Sequence, residues 1–218
     1  MNPNQNINQA MELLSKGQVH QAAQISSQLL EQAPDSALAH FLACEVAVAR
    51  NLVPQALEHI SKSVDLDDQQ PELQLRKADV EVMSRQGLQA QETAKQAAER
   101  FSDDCSVQLE VARVFTECGN HQGAEAFLRN AGRLEPHNPK YLFDYSTNQF
   151  FLGNTEEADK AIADFLDLHL PVRWRKLLLR SRLRKQTPDD NHVDMLREYL
   201  AGQISDVEAV NSSFALAK

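Results

Sequence analysis

The sequence predicts an all-α protein, an α/α superhelix of antiparallel helix pairs, and three observations predict it. Good helix formers (Ala, Leu, Gln, Glu, Arg) are abundant, while seven glycines and eight prolines in 218 residues are too few for the many turns of an all-β chain. Alanine recurs every 34 residues, at Ala22, Ala56, Ala90, Ala124 and Ala158. A second column of small residues, Ala10, Cys44, Ala78, Ala112 and Ser146, keeps the same period, with a large apolar residue three positions before each: Ile7, Phe41, Leu75, Leu109 and Phe143.

Helix packing explains such columns. A small side chain lets two helix backbones approach, and a large one a turn away fills the space beside it. Each unit therefore predicts two helices and a short turn. In residues 105–138 the first helix carries Val107, Leu109, Val111, Ala112 and Phe115, and stops at Cys118-Gly119-Asn120, where glycine adopts the left-handed conformation cheaply. The second presents Ala124, Leu128, Ala131 and Leu134, and Pro136 closes the unit because it cannot continue a helix. The same reading divides residues 1–172 into five units: 3–36, 37–70, 71–104, 105–138 and 139–172.

These residues resemble the tetratricopeptide repeat. Its small residue at position 8, Gly near 15, Ala at 20, apolar residue at 24 and Pro at 32 are matched by Ala112, Gly119, Ala124, Leu128 and Pro136. The first unit matches with Ala10, Gly17, Ala22 and Pro34, and the fifth with Ser146, Gly153, Ala158 and Ile162. The second departs, with Asn51 for Gly and Asp68 for Pro. In the third, Arg85 stands at the Gly position and Gly87 follows two residues late, so a turn of different shape is expected there.

Residues 173–203 read as an irregular basic helix pair continuing the solenoid. Pro171 to Gln186 looks like one more first helix, and Thr187 to Asp190 caps a helix bearing Val193, Leu196, Tyr199 and Leu200, stopped by Gly202. Ser205 then caps residues 204–218, the first helix of a further repeat, with Phe214 and Ala217 in the large and small columns. Its open apolar stripe points to self-association through this helix.

The formal charge of −9 is uneven. Nine Lys/Arg against six Asp/Glu follow from Arg173 onward, leaving an acidic body that argues against nucleic acid as the partner. Cys44, Cys105 and Cys118 fit neither a disulfide framework nor a zinc site, so a reducing cytoplasm is expected. Neither an export signal nor a run of eighteen apolar residues is present in this sequence.

The sequence carries no phosphate-binding loop, dinucleotide fingerprint, zinc-protease motif, nucleophile elbow or CxxC. Gly119 to Gly123 has two glycines but no lysine to reach a phosphate, and Cys118 with His121 lacks a second pair of metal ligands. No cofactor is expected.

Stacked repeats leave a concave surface suited to an extended peptide or partner helix. The resemblance implies that positions 6 and 9 of each repeat line it, which here places Glu45, Arg76, Asp79, Glu110, Arg113 and Asp144 along its middle. Arg76 and Arg113 then either anchor an acidic side chain or C-terminal carboxylate, or pair with their neighbours. The carboxylate clamp of chaperone-binding members is missing, since Ile7 and Met11 stand where Lys and Asn would be needed.

A second candidate surface is the basic helix, with Arg173, Arg175, Lys176, Arg180, Arg182, Arg184 and Lys185. It suits an anionic surface or acidic partner, although Leu177, Leu178, Leu179 and Leu183 give it an apolar face and the bland alternative is a packed helix that neutralises acidic neighbours. Finally, Leu183 to Lys218, with its Thr-Pro-Asp-Asp start and Phe-Ala-Leu run, is similar to the segment joining repeats to the catalytic domain in bacterial tetratricopeptide-repeat sulfotransferases. That resemblance implies the N-terminal interaction region of a longer bacterial protein; the residues of sulfuryl transfer are not in this segment.

Overall fold

The computed structural model describes residues 3–168, 174–183, 191, 193–202, 209–210 and 212–213. Among them there is no strand, and the all-α class expected from composition and period is what is found. The chain forms two compact units, Met1–Ser102 and Asp103–Lys218.

The first unit holds α1 (Pro3–Ser15), α2 (Val19–Gln32), α3 (Ala37–Ala49), α4 (Val53–Leu66), α5 (Pro71–Met83) and α6 (Gly87–Arg100). Each helix packs on the next, and α1 also lies against α3. The second unit holds α7 (Cys105–Glu117), α8 (His121–Leu134), α9 (Pro139–Leu152), α10 (Thr155–Asp167), α11 (Trp174–Leu183) and α12 (Val193–Leu200). Again successive helices pack together, and the first helix of a pair touches the first helix of the next, α7 on α9 and α9 on α11.

The 34-residue columns are the places where helices cross. Ala22, Ala56, Ala90, Ala124 and Ala158 are fully buried, as are Ala10, Cys44, Ala78 and Ser146, with Ala112 only 1% exposed. A β-branched or aromatic side chain at any of them would push two helix axes apart, at about 1–3 kcal/mol. Ile60, Leu128 and Ile162 fill the space between, each contributing about 2 kcal/mol through apolar burial. Gly132 serves the same end inside α8, since a Cβ there would sit 2.3 Å from the Tyr141 ring of α9.

The starts of α3, α7, α8 and α9 are capped by side chains. Ser36, Asp104 and Asn120 each accept from the backbone N–H three residues on, and Asn138 accepts from Lys140 and Tyr141. The turns within the five pairs are one structure repeated. Gly17, Gly119 and Gly153 adopt φ of +73°, +75° and +80°. The two departures take the same path, Asn51 at φ 59° and Arg85 at φ 62°. In every case the left-handed residue donates to the carbonyl three back and its successor to the carbonyl five back, as in Arg85 to Val82 and Gln86 to Glu81. The different turn expected at Arg85 is therefore corrected: arginine accepts the strained conformation because both hydrogen bonds and the packing of α5 on α6 require it.

After α10, Leu177 and Ser181 of α11 and Leu196 of α12 are buried, and Leu178 is partly buried. Leu177 and Leu196 join Ile162 and Leu166 in one cluster. The expected caps at Thr187 to Asp190 and at Ser205, and the apolar stripe of Phe214 and Ala217, lie outside the described residues.

Candidate functional site

The charged residues expected along the concave surface fall into two clusters, one in each unit. In the first unit Arg76 of α5 meets Glu45 of α3 through two bonds, Nε to Oε1 at 2.5 Å and Nη2 to Oε2 at 3.0 Å. Asp79, one turn along α5, lies 3.8 Å from the same guanidinium. These are the partners a stack of first helices puts one repeat apart. The guanidinium is thus already engaged by a planar, two-pronged carboxylate.

In the second unit Arg113 of α7 donates to Glu110 and to Glu117, both at 2.7 Å along its own helix. Lys140 of α9 lies 2.8 Å from Asp144 and 3.6 Å from Glu110. Of the pairing between neighbouring helices that the sequence left open, Glu45 with Arg76 is an instance, whereas Asp79, Glu110, Arg113 and Asp144 have ion-pair partners along their own helices.

Around the second cluster α7, α9 and the start of α8 enclose a groove of about 380 Å³. Its charged wall is Arg113, Glu117, Lys140 and Asp144, and its apolar floor includes Ala112, Leu128, Phe143 and Phe151. Phe151 is 61% exposed. It is held from one side by His121, whose ring stacks on it at 4.5 Å and 15°. His121 is itself fixed by Asn148, which takes part in a 3.0 Å bond with Nδ1 and donates to the His121 carbonyl at 3.1 Å. The result is a rigid aromatic platform beside a balanced set of charges, suited to one apolar side chain with polar groups on either side.

Sequence reasoning named Glu110, Arg113 and Asp144 but missed Lys140, Glu117, Phe151 and His121. A signal was available for three of them: Lys140 stands at position 2 of its repeat, and Glu117 and Phe151 both stand at position 13, one turn beyond the position of Arg113. His121 was weighed only as a partner for Cys118, whereas its contacts are with Asn148 and Phe151. Among the described residues no group of three or more His, Cys, Asp or Glu gathers to hold a metal. Burial pushes the Cys44 thiol up to about 12 and the Cys105 thiol up to about 11, so neither is a reactive thiolate.

On the basic helix, Arg180 is spent on Asp159 of α10, with bonds of 2.7 and 3.3 Å. Arg182 is exposed. Arg173 and Arg184 lie outside the described residues, and Arg175 and Lys176 are placed only as backbone of α11.

Among the described residues no helix is long and apolar enough to cross a membrane. No curated protein matches the sequence. Solved structures do match in fold. PilF of Pseudomonas aeruginosa is 18% identical, with 99% of this chain and 97% of that one covered at a TM-score of 0.71. PilW, described as a widely conserved type IV pilus biogenesis factor, is 15% identical, with 95% and 96% covered at 0.74. YrrB, described as a tetratricopeptide repeat protein with an unusual peptide-binding site, is 19% identical, with 79% and 88% covered at 0.59. At these identities the likeness is one of fold. A family model described as tetratricopeptide repeat matches residues 7–71, from α1 to the first residue of α5, and helix pairs follow at the same 34-residue spacing beyond that stretch.

Proposed function

We propose that the chain is a scaffold that binds a protein or peptide segment in the groove between α7 and α9. The observation that carries this reading is the exposed Phe151, braced by His121 at one end of a groove about 380 Å³ in volume. An exposed aromatic fixed in place loses little entropy on binding, and such residues dominate the energetics of peptide grooves. The peptide-binding site described for YrrB, a protein of similar fold, supports the same use. Glu110, Arg113, Asp144 and Lys140 set register, since a ligand carboxylate reaches Arg113 only by displacing Glu110 or Glu117. Glu45, Arg76 and Asp79 serve in the same way in the first unit.

Panning the full chain against a displayed random-peptide library, followed by titration of the selected peptides, tests this. Binders weakened at least about tenfold by Phe151→Ala and largely insensitive to moderate salt are expected. If no peptide is enriched, or if binding ignores Phe151, the reading falls. Binding that collapses with salt and with Arg182→Ala would instead favour the basic helix and an anionic partner.

Three finer expectations belong with this proposal: that the repeats form the interaction region of a longer bacterial protein, a sulfotransferase; that it works in a reducing cytoplasm; and that residues 204–218 pack on a neighbouring molecule. Their support is the similarity of Leu183 to Lys218, the three cysteines Cys44, Cys105 and Cys118 with no disulfide among them, and the apolar pattern of Phe214 and Ala217. A stop codon after Lys218 in the natural reading frame would sink the first of them.

A further inference from the structure

His40 on α3 and His59 on α4 meet head to head. Their Nδ1 atoms are 3.2 Å apart, and the ring centroids are 5.5 Å apart with planes inclined by 40°. The far side of His40 decides which nitrogen carries its proton. Nε2 lies 2.9 Å from the carbonyl oxygen of Pro34, and a carbonyl only accepts, so Nε2 is the protonated nitrogen. Neutral His40 therefore aims a bare Nδ1 lone pair at His59, and His59 answers with Nδ1–H.

We infer that this pair is a binding site for one late first-row divalent cation, Zn²⁺, Ni²⁺ or Cu²⁺, ligated by Nδ1 of His40 and Nδ1 of His59 with water in the remaining positions. Two imidazole nitrogens bound to one tetrahedral zinc at about 2.0–2.1 Å stand roughly 3.3 Å apart, close to the separation already present. A swing of each ring that brings both Nδ1 lone pairs onto one point turns the N–H···N contact into a pair of ligands on one ion. The His59 proton passes to its own Nε2 through solvent, so both rings stay neutral and no net proton is released.

The surroundings favour a cation. The Pro34 carbonyl orients His40 as a ligand's outer partner normally does, and the proline ring holds that carbonyl's backbone at fixed φ. Both rings are half-buried and reachable from solvent. Glu58, next to His59 in sequence, supplies a nearby negative charge. Imidazole donors suit zinc, nickel and copper and are poor for Mg²⁺ or Ca²⁺. With two protein ligands the ion keeps open positions, so it is exchangeable and able to accept a donor from another molecule.

Calorimetric titration of the full chain with Zn²⁺ and with Ni²⁺ tests the site. One ion per chain is expected, with affinity reduced at least about tenfold by either His40→Gln or His59→Gln and unchanged by His20→Gln, while Mg²⁺ gives no heat. Zinc affinity in either the His40 or the His59 variant equal to that of the unsubstituted chain, or no binding at millimolar Zn²⁺, overturns the inference. A measurement on the unsubstituted chain removes dependence on the variants' folding. The imidazole ¹⁵N resonances of His40 and His59, and not of His20, must shift at Nδ1 on adding zinc; if they do not, the site does not exist.

Discussion

Arg76 and Glu45 sit on first helices of successive repeats and close a two-pronged ion pair across the gap between them, at 2.5 and 3.0 Å. Their side chains are 23% and 17% exposed, so water screens the pair only in part. Removing one partner leaves the other largely desolvated. Arg76→Met or Glu45→Gln should each destabilise by about 1–2 kcal/mol, and a double-mutant cycle from urea melts should return a coupling of about 1 kcal/mol. A coupling indistinguishable from zero would mean that the pair is ornamental and Arg76 is available to a ligand.

The five turns invite a conformational test, because the same φ near +60° to +80° is reached by three glycines, an asparagine and an arginine. Nothing lies within 4 Å of a Cβ built on Gly153, so Gly153→Ala isolates the backbone term and should cost about 1 kcal/mol. Arg85→Gly should run the other way, stabilising by about 0.5–1 kcal/mol after the extra freedom of the unfolded chain is counted. Thermal melts of both variants check the signs. Destabilisation by Arg85→Gly would show that the arginine side chain contributes more than its strained backbone costs.

What could be read from the sequence, and what could not, follows from the range of the forces involved. The columns at Ala22 and Ala10 are local in each repeat, since packing on the adjacent helix demands a small residue at a fixed offset, and they were legible. Arg85 was misjudged because composition suggested a new turn, whereas two backbone hydrogen bonds and the flanking helices impose the old one. Phe151 is hard to find because an apolar residue on a helix is usually read as core, and its place at position 13, one turn beyond the position of Arg113, has to outweigh that reading before its 61% exposure is known. His40 and His59 are 19 residues apart on different helices, a spacing that no motif records.

Glu81 is a core position held by a carboxylate. It is 2% exposed, bonds Thr93, and its Oε2 has no hydrogen-bond partner among the described residues. Burial raises its pKa above the ordinary 4.5. A raised folded value means that the folded chain holds the proton more tightly than the unfolded one. The stabilisation is therefore complete below the ordinary value and is lost as pH rises through the folded value. Glu81→Gln keeps the Thr93 bond without the charge. It should match the unsubstituted chain near pH 4 and exceed it by about 1 kcal/mol near pH 7.5 in parallel urea melts. An equal difference at both pH values would remove ionisation as the cause.

Phe151 offers the cleanest separation of binding from folding. Its ring is mostly in solvent, touching His121 face on and Phe150 edge on, so its truncation opens no cavity. Phe151→Ala should leave stability within about 0.5 kcal/mol while weakening groove ligands at least about tenfold, equivalent to about 1.4 kcal/mol. His121→Ala should weaken the same ligands less, because it removes the brace and leaves the contact surface. Asn148→Leu should resemble His121→Ala, since Asn148 holds the imidazole in its stacked orientation. Binding constants for the three variants, read beside their melting curves, decide the matter. If the order is reversed, with His121 dominant, the imidazole itself touches the ligand and the groove reads a polar group where an apolar one is expected here.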